Sequence, residues 1–169
     1  KNRNLLGNVR TIQQAGMQVS GGFIVGFDSD TPSVFQQQID FIQQSGIVWA
    51  MVGLLNAPKN TALYRRLEKE NRLSTPLTGN NTDYSMNFRP KMDREQLLGG
   101  YEKIIQHIYT VKPYYQRIRH FLLSYRSINR KQLRLDRYYI SGFVRSLLVM
   151  GVIRKGRGEY WKLLGWTLI

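Results

Sequence analysis

Residues Gly21–Thr31 read GGFIVGFDSDT. A pair of small residues leads into a dense apolar run. The run ends at Gly26-Phe27, and Asp28, Asp30 and the helix-start pair Thr31-Pro32 follow. This is the pattern of a buried strand that carries a glycine and two carboxylates to its C-terminal end. In α/β folds with parallel strands, ligands gather at that end. A second unit of the same kind lies at Ile47–Asn60.

Outward from this stretch the chain alternates. Leu5, Leu6, Val9 and Ile12 recur at helical spacing, and Gly16 supplies a natural stop. Met17–Phe27 reads as a strand whose continuous apolar run implies burial on both faces, as in a parallel sheet. Thr31 suits an N-cap and Pro32 the first helical position, for a helix that ends before Gly46. Ile47–Leu54 is a second strand, Asn56–Asn60 a loop, and Thr61 the cap of a helix bearing Leu63, Tyr64 and Leu67. Helix, strand, helix, strand, helix with short connections is the signature of right-handed βαβ units. Two parallel strands alone leave two open edges, so further strands are expected upstream to complete the sheet.

The pattern changes near Asn71. Residues 72–92 are polar and rich in turn formers, and a loop of that length is expected to be functional or mobile. Asp93 and Gln96 form a capping-box pair, followed by the apolar face Leu97, Leu98, Tyr101, Ile104, Ile105 and Ile108. Lys112-Pro113 breaks this helix, and Pro113 opens another through about Tyr125. Asp136–Met150 is a third helix, closed by Gly151, and a basic turn leads to a fourth at Glu159–Leu168. The expected organisation is therefore residues 1–71 as an α/β part, 72–92 as a connecting loop and 93–169 as a basic, aromatic-rich α-helical domain. Both ends are abrupt, which leads us to expect a fragment.

The 169 residues contain no cysteine, which excludes disulfides, thiolate metal sites and thiol nucleophiles within them. His107 and His120 stand on separate helical stretches with no carboxylate at ligand spacing, so both read as helix-surface histidines. No signal peptide is visible and no apolar run is long enough to span a bilayer, so a cytoplasmic location is expected, with a membrane surface as a candidate contact. The net charge is +14. Residues 91–169 carry sixteen basic and five acidic side chains, which is +11 of it. Such a field attracts anionic lipid, phosphorylated substrates or, with a smaller weight, nucleic acid. A solvated face or a contact with another domain uses the same charge.

The residues able to carry chemistry cluster in the first 60. On a strand, Gly22, Ile24 and Gly26 face the same way. Glycine at both ends leaves room for a flat ligand against the backbone, with Ile24 packing on its face; tight strand–helix packing explains the glycines equally well. This is not a phosphate-cradling loop, because no Gly-Lys-Ser/Thr follows. Asp28 and Asp30 can bind a ribose hydroxyl, a cation or an amine, and Asp30 can instead help start the next helix. Leu55 and Asn56 end the second strand, where backbone and amide groups can read a base edge. Asn60 reads as turn chemistry.

Together these residues carry a resemblance. GGFIVGFDSDTPSVFQQQIDFIQQSGI resembles the fifth strand and following helix of the radical S-adenosylmethionine (SAM) enzyme barrel. VWAMVGLLNAPKNTALYRRLEKENRL resembles the sixth strand and its proline-glycine-threonine-leucine-tyrosine loop, with Lys59-Asn60 in place of the usual glycine. The stretches GNNTDYSMNFRPKM and YEKIIQHIYTVKPYYQRIRHFL, with the closing element at Arg157–Leu164, resemble the uncharacterised helical domain that follows the barrel in radical SAM proteins with an N-terminal cobalamin-binding domain. The implied fold class is α/β: a partial parallel (β/α) barrel segment followed by an α-helical C-terminal domain.

The resemblance also implies cofactors and roles. Ile24 would pack on the SAM adenine, with Gly22 and Gly26 giving clearance and backbone near Leu55 and Asn56 contacting the base. The family's usual glutamate has no exact match, and Asp28 and Asp30 straddle its place. The three cysteines that hold a [4Fe-4S] cluster would lie on an upstream barrel half, and cobalamin on an upstream domain. The intact enzyme would generate a 5′-deoxyadenosyl radical and methylate an unactivated carbon of a small molecule or lipid. The alternative is a basic helical module that binds RNA or anionic membrane without catalysis.

Overall fold

The computed structural model describes residues 4–74, 84–127 and 136–168. In chain order the elements are α1 (Leu5–Gln14), β1 (Ser20–Val25), α2 (Ser33–Ser45), β2 (Trp49–Leu54), α3 (Ala62–Lys69), α4 (Arg94–Tyr109), α5 (Val111–Ser124), α6 (Arg137–Leu148), a π-helical turn at Val149–Ile153 and α7 (Arg157–Leu168). The class is α/β. Among the described residues the sheet has two strands, β1 and β2, which run parallel with Ser20 beside Trp49 and Val25 beside Leu54.

Local chemistry sets most boundaries. The Asn4 side chain accepts from the Gly7 N–H at 2.9 Å and caps α1, and Gly16 and Gly46 take φ of 74° and 67° just past the ends of α1 and α2. α2 begins at Ser33, one residue later than Pro32, yet Thr31 still opens the turn by accepting the Val34 N–H at 2.9 Å. Thr61 Oγ1 accepts from the Tyr64 N–H at 3.1 Å and starts α3. Asp93 Oδ1 accepts from the Gln96 N–H at 2.9 Å and starts α4. Pro113 sits inside the first turn of α5, where its missing N–H costs nothing. Gly151 does not stop a helix as its composition suggests. The chain continues there as a π-helical turn, because Gly151 makes room for Trp161: a Cβ would lie 2.9 Å from the indole, whose N–H donates to the Gly151 carbonyl at 3.0 Å.

The described chain divides into two compact units. One, the sheet-bearing unit, comprises Ser20–Ile42 and Trp49–Ile108; the other, the helical unit, comprises Lys1–Val19, Gln43–Val48 and Tyr109–Ile169. In the sheet-bearing unit, Ala50, Val52 and Leu54 alternate onto the buried face of β2 and Val25 ends that of β1. α2 and α4 supply Phe35, Ile39, Leu97 and Ile104, and the Phe35 ring occupies the space a side chain at Gly100 would need. The Tyr101 hydroxyl donates to the Val52 carbonyl at 3.3 Å. α4 thus packs with the sheet, inside the unit that runs through Ile108.

Part of the stretch expected to be a polar loop is core. Met86, Asn87 and Phe88 are buried, and Leu73 pairs with Phe88 in an antiparallel bridge. Residues 75–83 of that stretch lie outside the described residues.

In the helical unit α1 contacts α5, and α5 contacts α7. Arg117 is wholly buried on α5. Its guanidinium donates to Gln43 Oε1 at 3.1 Å and to the Val48 carbonyl at 3.4 Å, and it stands 5.4 Å from the centroid of the Tyr114 ring. Burial pushes its pKa below the ordinary arginine value.

Candidate functional site

The two strands present one open apolar face. β1 alternates so that Ser20, Gly22 and Ile24 point away from the core, and β2 places Trp49 and Met51 on the same side. Ile24 is 47% exposed, Trp49 65% and Met51 62%. The expectation of burial on both strand faces is therefore met on one face only. The register sets Ile24 beside Gly53 and Gly22 beside Met51. Side chain and gap alternate diagonally, and a Cβ at Gly22 would meet nothing within 4 Å. The result is a flat apolar slot on the backbone, able to take a planar ring by stacking and exclusion of water.

Gly22 and Ile24 share this face, but Gly26 does not. It lies past the end of β1 at φ 106°, a region that favours glycine, with Met86, Leu97 and Leu55 around it. A Cβ there would sit 3.2 Å from Met86 Cε and 3.3 Å from Leu97 Cδ2. The positive φ turns the chain out of the pleat, so the two-residue alternation ends before Gly26. Leu55 is buried and its N–H donates to the Val25 carbonyl at 2.8 Å, extending the ladder by one bond.

The carboxylates beyond β1 are already engaged. Asp30 Oδ2 accepts the N–H groups of Gly26 and Phe27 at 2.9 and 3.0 Å, which fixes the turn after the strand. Asp28 Oδ1 accepts from Arg72 Nη2 at 2.7 Å, and Oδ2 accepts from Arg72 Nη1 at 3.0 Å and Arg66 Nη2 at 2.9 Å. The Arg72 hydrogen bonds, with the charges of Arg72, Arg66 and Lys91, outweigh burial and hold the Asp28 carboxyl below its usual value. The same pairing, with a smaller part from Glu70, raises Arg72 above its own. Arg72 also donates from Nε to the Arg89 carbonyl at 2.8 Å and to Glu70 at 2.9 Å. A ribose hydroxyl reaching Asp28 has to share oxygens that two guanidinium groups occupy.

Asn56 and Asn87 form a reciprocal clasp at the end of β2. Asn56 Oδ1 accepts the Asn87 N–H at 3.0 Å, and its amide donates to the Ser85 carbonyl at 3.2 Å. Asn87 accepts the Ala57 N–H at 2.8 Å and donates to the Ala57 carbonyl at 2.7 Å. The Asn56 side chain is therefore spent on the neighbouring segment, leaving the strand-end backbone as the group that can meet a base. Asn60 takes φ 68°, in keeping with turn chemistry. Sequence reasoning missed Arg72, Asn87, Trp49 and Met51. An unpaired acid at a strand end was the available signal for Arg72, and period-two spacing from Ile47 was the signal for Trp49 and Met51.

No group of three metal-ligating side chains occurs among the described residues. His120 Nδ1 lies 3.0 Å from the Gln43 carbonyl within the helical unit. The aromatics there are partly stacked under arginine, as with Arg119 4.8 Å from the Trp166 ring centroid, whereas Tyr138 and Tyr139 form an exposed edge-to-face pair. No helix among the described residues is long and apolar enough to cross a membrane.

Residues 61–169 match a family model described as a domain of unknown function, DUF4070. The chain belongs to this family. An uncharacterized methyltransferase, sll1242, of Synechocystis is 33% identical over 115 residues, which is 68% of this chain and 22% of that protein. A hopanoid C-2 methylase of Rhodopseudomonas palustris is 42% identical over 69 residues, 41% of this chain and 13% of that protein. This DUF4070 chain thus spans under a quarter of the length of either curated relative. No solved structure matches it. The resemblance drawn from the sequence, to the C-terminal part of radical SAM enzymes that carry a cobalamin-binding domain, agrees with these matches.

Proposed function

We propose that this chain is the C-terminal part of a radical SAM methylase, that β1 and β2 are neighbouring strands of its parallel (β/α) barrel, and that their open face holds the SAM adenine. The observation that carries this is the exposed apolar slot with a clear backbone at Gly22 and Ile24 beside Gly53. Parallel strands are ordinarily covered on both faces, and an apolar face left open fits a barrel interior completed by strands outside this chain. The relatives' methyltransferase and methylase names support the reaction class.

The residues present fit the adenine end of SAM. Ile24 and Gly22 supply an apolar seat and clearance, and with the Leu55 N–H donated to Val25 it is the Leu55 carbonyl that stands at the strand end. They orient the adenosyl group, and orientation governs a hydrogen abstraction. A SAM held there beside a [4Fe-4S] cluster would supply the radical that abstracts hydrogen. With no cysteine here, thiolate ligands for the cluster would lie outside these 169 residues, and the resemblance places any cobalamin outside them too. The substrate is a small molecule or a lipid.

The test is SAM binding by calorimetry to the full-length protein carrying Gly22→Val or Ile24→Ala. Expected are a loss of about tenfold or more for Gly22→Val and several-fold for Ile24→Ala, since one misfitted side chain costs about 1–3 kcal/mol. Unchanged affinity in both variants overturns the placement of adenine. Absence of SAM binding by the unaltered protein favours the non-catalytic binding module.

A further inference from the structure

We propose that the α6 segment docks on an anionic lipid surface, with hydrocarbon side chains entering the headgroup–acyl boundary and basic side chains meeting the headgroups. α6 has no buried residue. Ile140, Val144 and Leu148 recur every four residues with Phe143 beside them, and each is at least 47% exposed. Val152 and Ile153 continue the exposed apolar surface through the π-helical turn. A contiguous apolar surface of this kind marks a site of association.

One tie to α7 is the Ser146–Tyr160 hydroxyl pair at 2.9 Å, and the start of α6 is weakly fixed. Its N-cap Asp136 makes no side-chain capping bond, and its first turn carries Arg137 and no acid, against the helix dipole. A helix of 12 residues is marginal in water unless a face is packed. Among the described residues nothing covers this face.

Charge identifies the cover. From Arg137 to Gly158 the chain has five basic residues, Arg137, Arg145, Arg154, Lys155 and Arg157, and no acidic one. A second copy would bring the same positive charge against itself. A nucleic acid satisfies the arginines and leaves the Ile, Val and Leu side chains in water. A bilayer with anionic headgroups satisfies both: apolar side chains enter by about 5–10 Å, and the long basic side chains stay at the headgroups. Tyr138 and Tyr139, exposed at the start of α6, suit the same boundary, one end apolar and the other wet.

The test is flotation of the full-length protein with vesicles of phosphatidylcholine alone or mixed with phosphatidylglycerol. Expected are binding to the mixed vesicles, weakening with added salt, and partitioning about tenfold or more weaker in the Ile140→Glu/Phe143→Glu variant. Should that variant fail to fold by circular dichroism, Arg154→Gln/Arg157→Gln probes the same surface and is expected to weaken binding several-fold. SAM affinity should be unchanged in both variants, since these residues lie outside the slot. The proposal is overturned by absence of binding to the mixed vesicles, or by binding that neither variant alters. It is likewise overturned if Ile140→Glu/Phe143→Glu dissociates a dimer of the unaltered protein, or abolishes RNA binding in a protein that ignores vesicles.

Discussion

In the sheet-bearing unit the deepest positions are hydrocarbon: Val25, Ile39, Ile42, Leu67, Leu97 and Ile104 are almost fully buried. In the helical unit the deepest positions are polar. Gln13, Ser45 and Arg117 are buried there, and among the described residues Ile47 is the one buried apolar side chain. The Gln13 amide donates to the Ser45 carbonyl at 3.0 Å, and Gln43 links the Pro113 carbonyl to the Arg117 guanidinium. Much of the helical unit's hydrocarbon is exposed, with a run of it on α6 and the turn after it. One unit is centred on hydrocarbon; the other has directional polar bonds at its deepest positions.

Two isoleucines give the sharpest way to break this contrast. Ile104→Ala should cost about 3 kcal/mol, since it removes fully buried methyl groups and leaves a cavity, and a urea titration reads it as a lowered midpoint with unchanged slope. Asn87→Ala should cost about 2 kcal/mol by stripping the Ala57 N–H and carbonyl of their partners. Hydrogen exchange at the Ala57 amide should speed up accordingly, and an unchanged rate would show that the clasp does not hold the strand end.

Asp28→Asn should come next, at about 1.5 kcal/mol at neutral pH. The folded carboxyl is held below its unfolded value of 3.8, so its contribution is complete above the ordinary carboxylate range and lost as pH falls through the lowered folded value. Stability measured against pH should separate wild type from Asp28→Asn at neutrality and bring them together in acid; parallel curves would contradict the ion pair. The smallest effect belongs to Ile140→Ala, within about 0.5 kcal/mol, as for other exposed positions. A loss matching that of Ile104→Ala would mean that α6 is covered within the protein itself.

The helix and strand order was legible because punctuation marks it: Gly16, Gly46, Thr61, Asp93 and Pro113 each act through backbone chemistry confined to a few residues. Alternation likewise put Gly22 and Ile24 on one face. What escaped depends on distant partners. Asp28 at a strand end announces the need for a cation but does not single out Arg72, 44 residues away, and nothing near Asn56 announces Asn87. Gly26 was assigned to the ligand face because period-two counting cannot see a positive φ. The strands were expected to be covered on both sides because composition alone does not distinguish a face closed by this chain from one closed by other strands.

The position of Trp49 has a spectroscopic consequence. The chain has three tryptophans. Trp161 is bonded to the Gly151 carbonyl and Trp166 lies under Arg119, both in the helical unit, while Trp49 stands on the open sheet face. With Trp161 and Trp166 replaced by phenylalanine, emission from these residues would come from that face alone. A solvated indole emits to the red and a covered one to the blue, so the wavelength would report whether the sheet is open or roofed over.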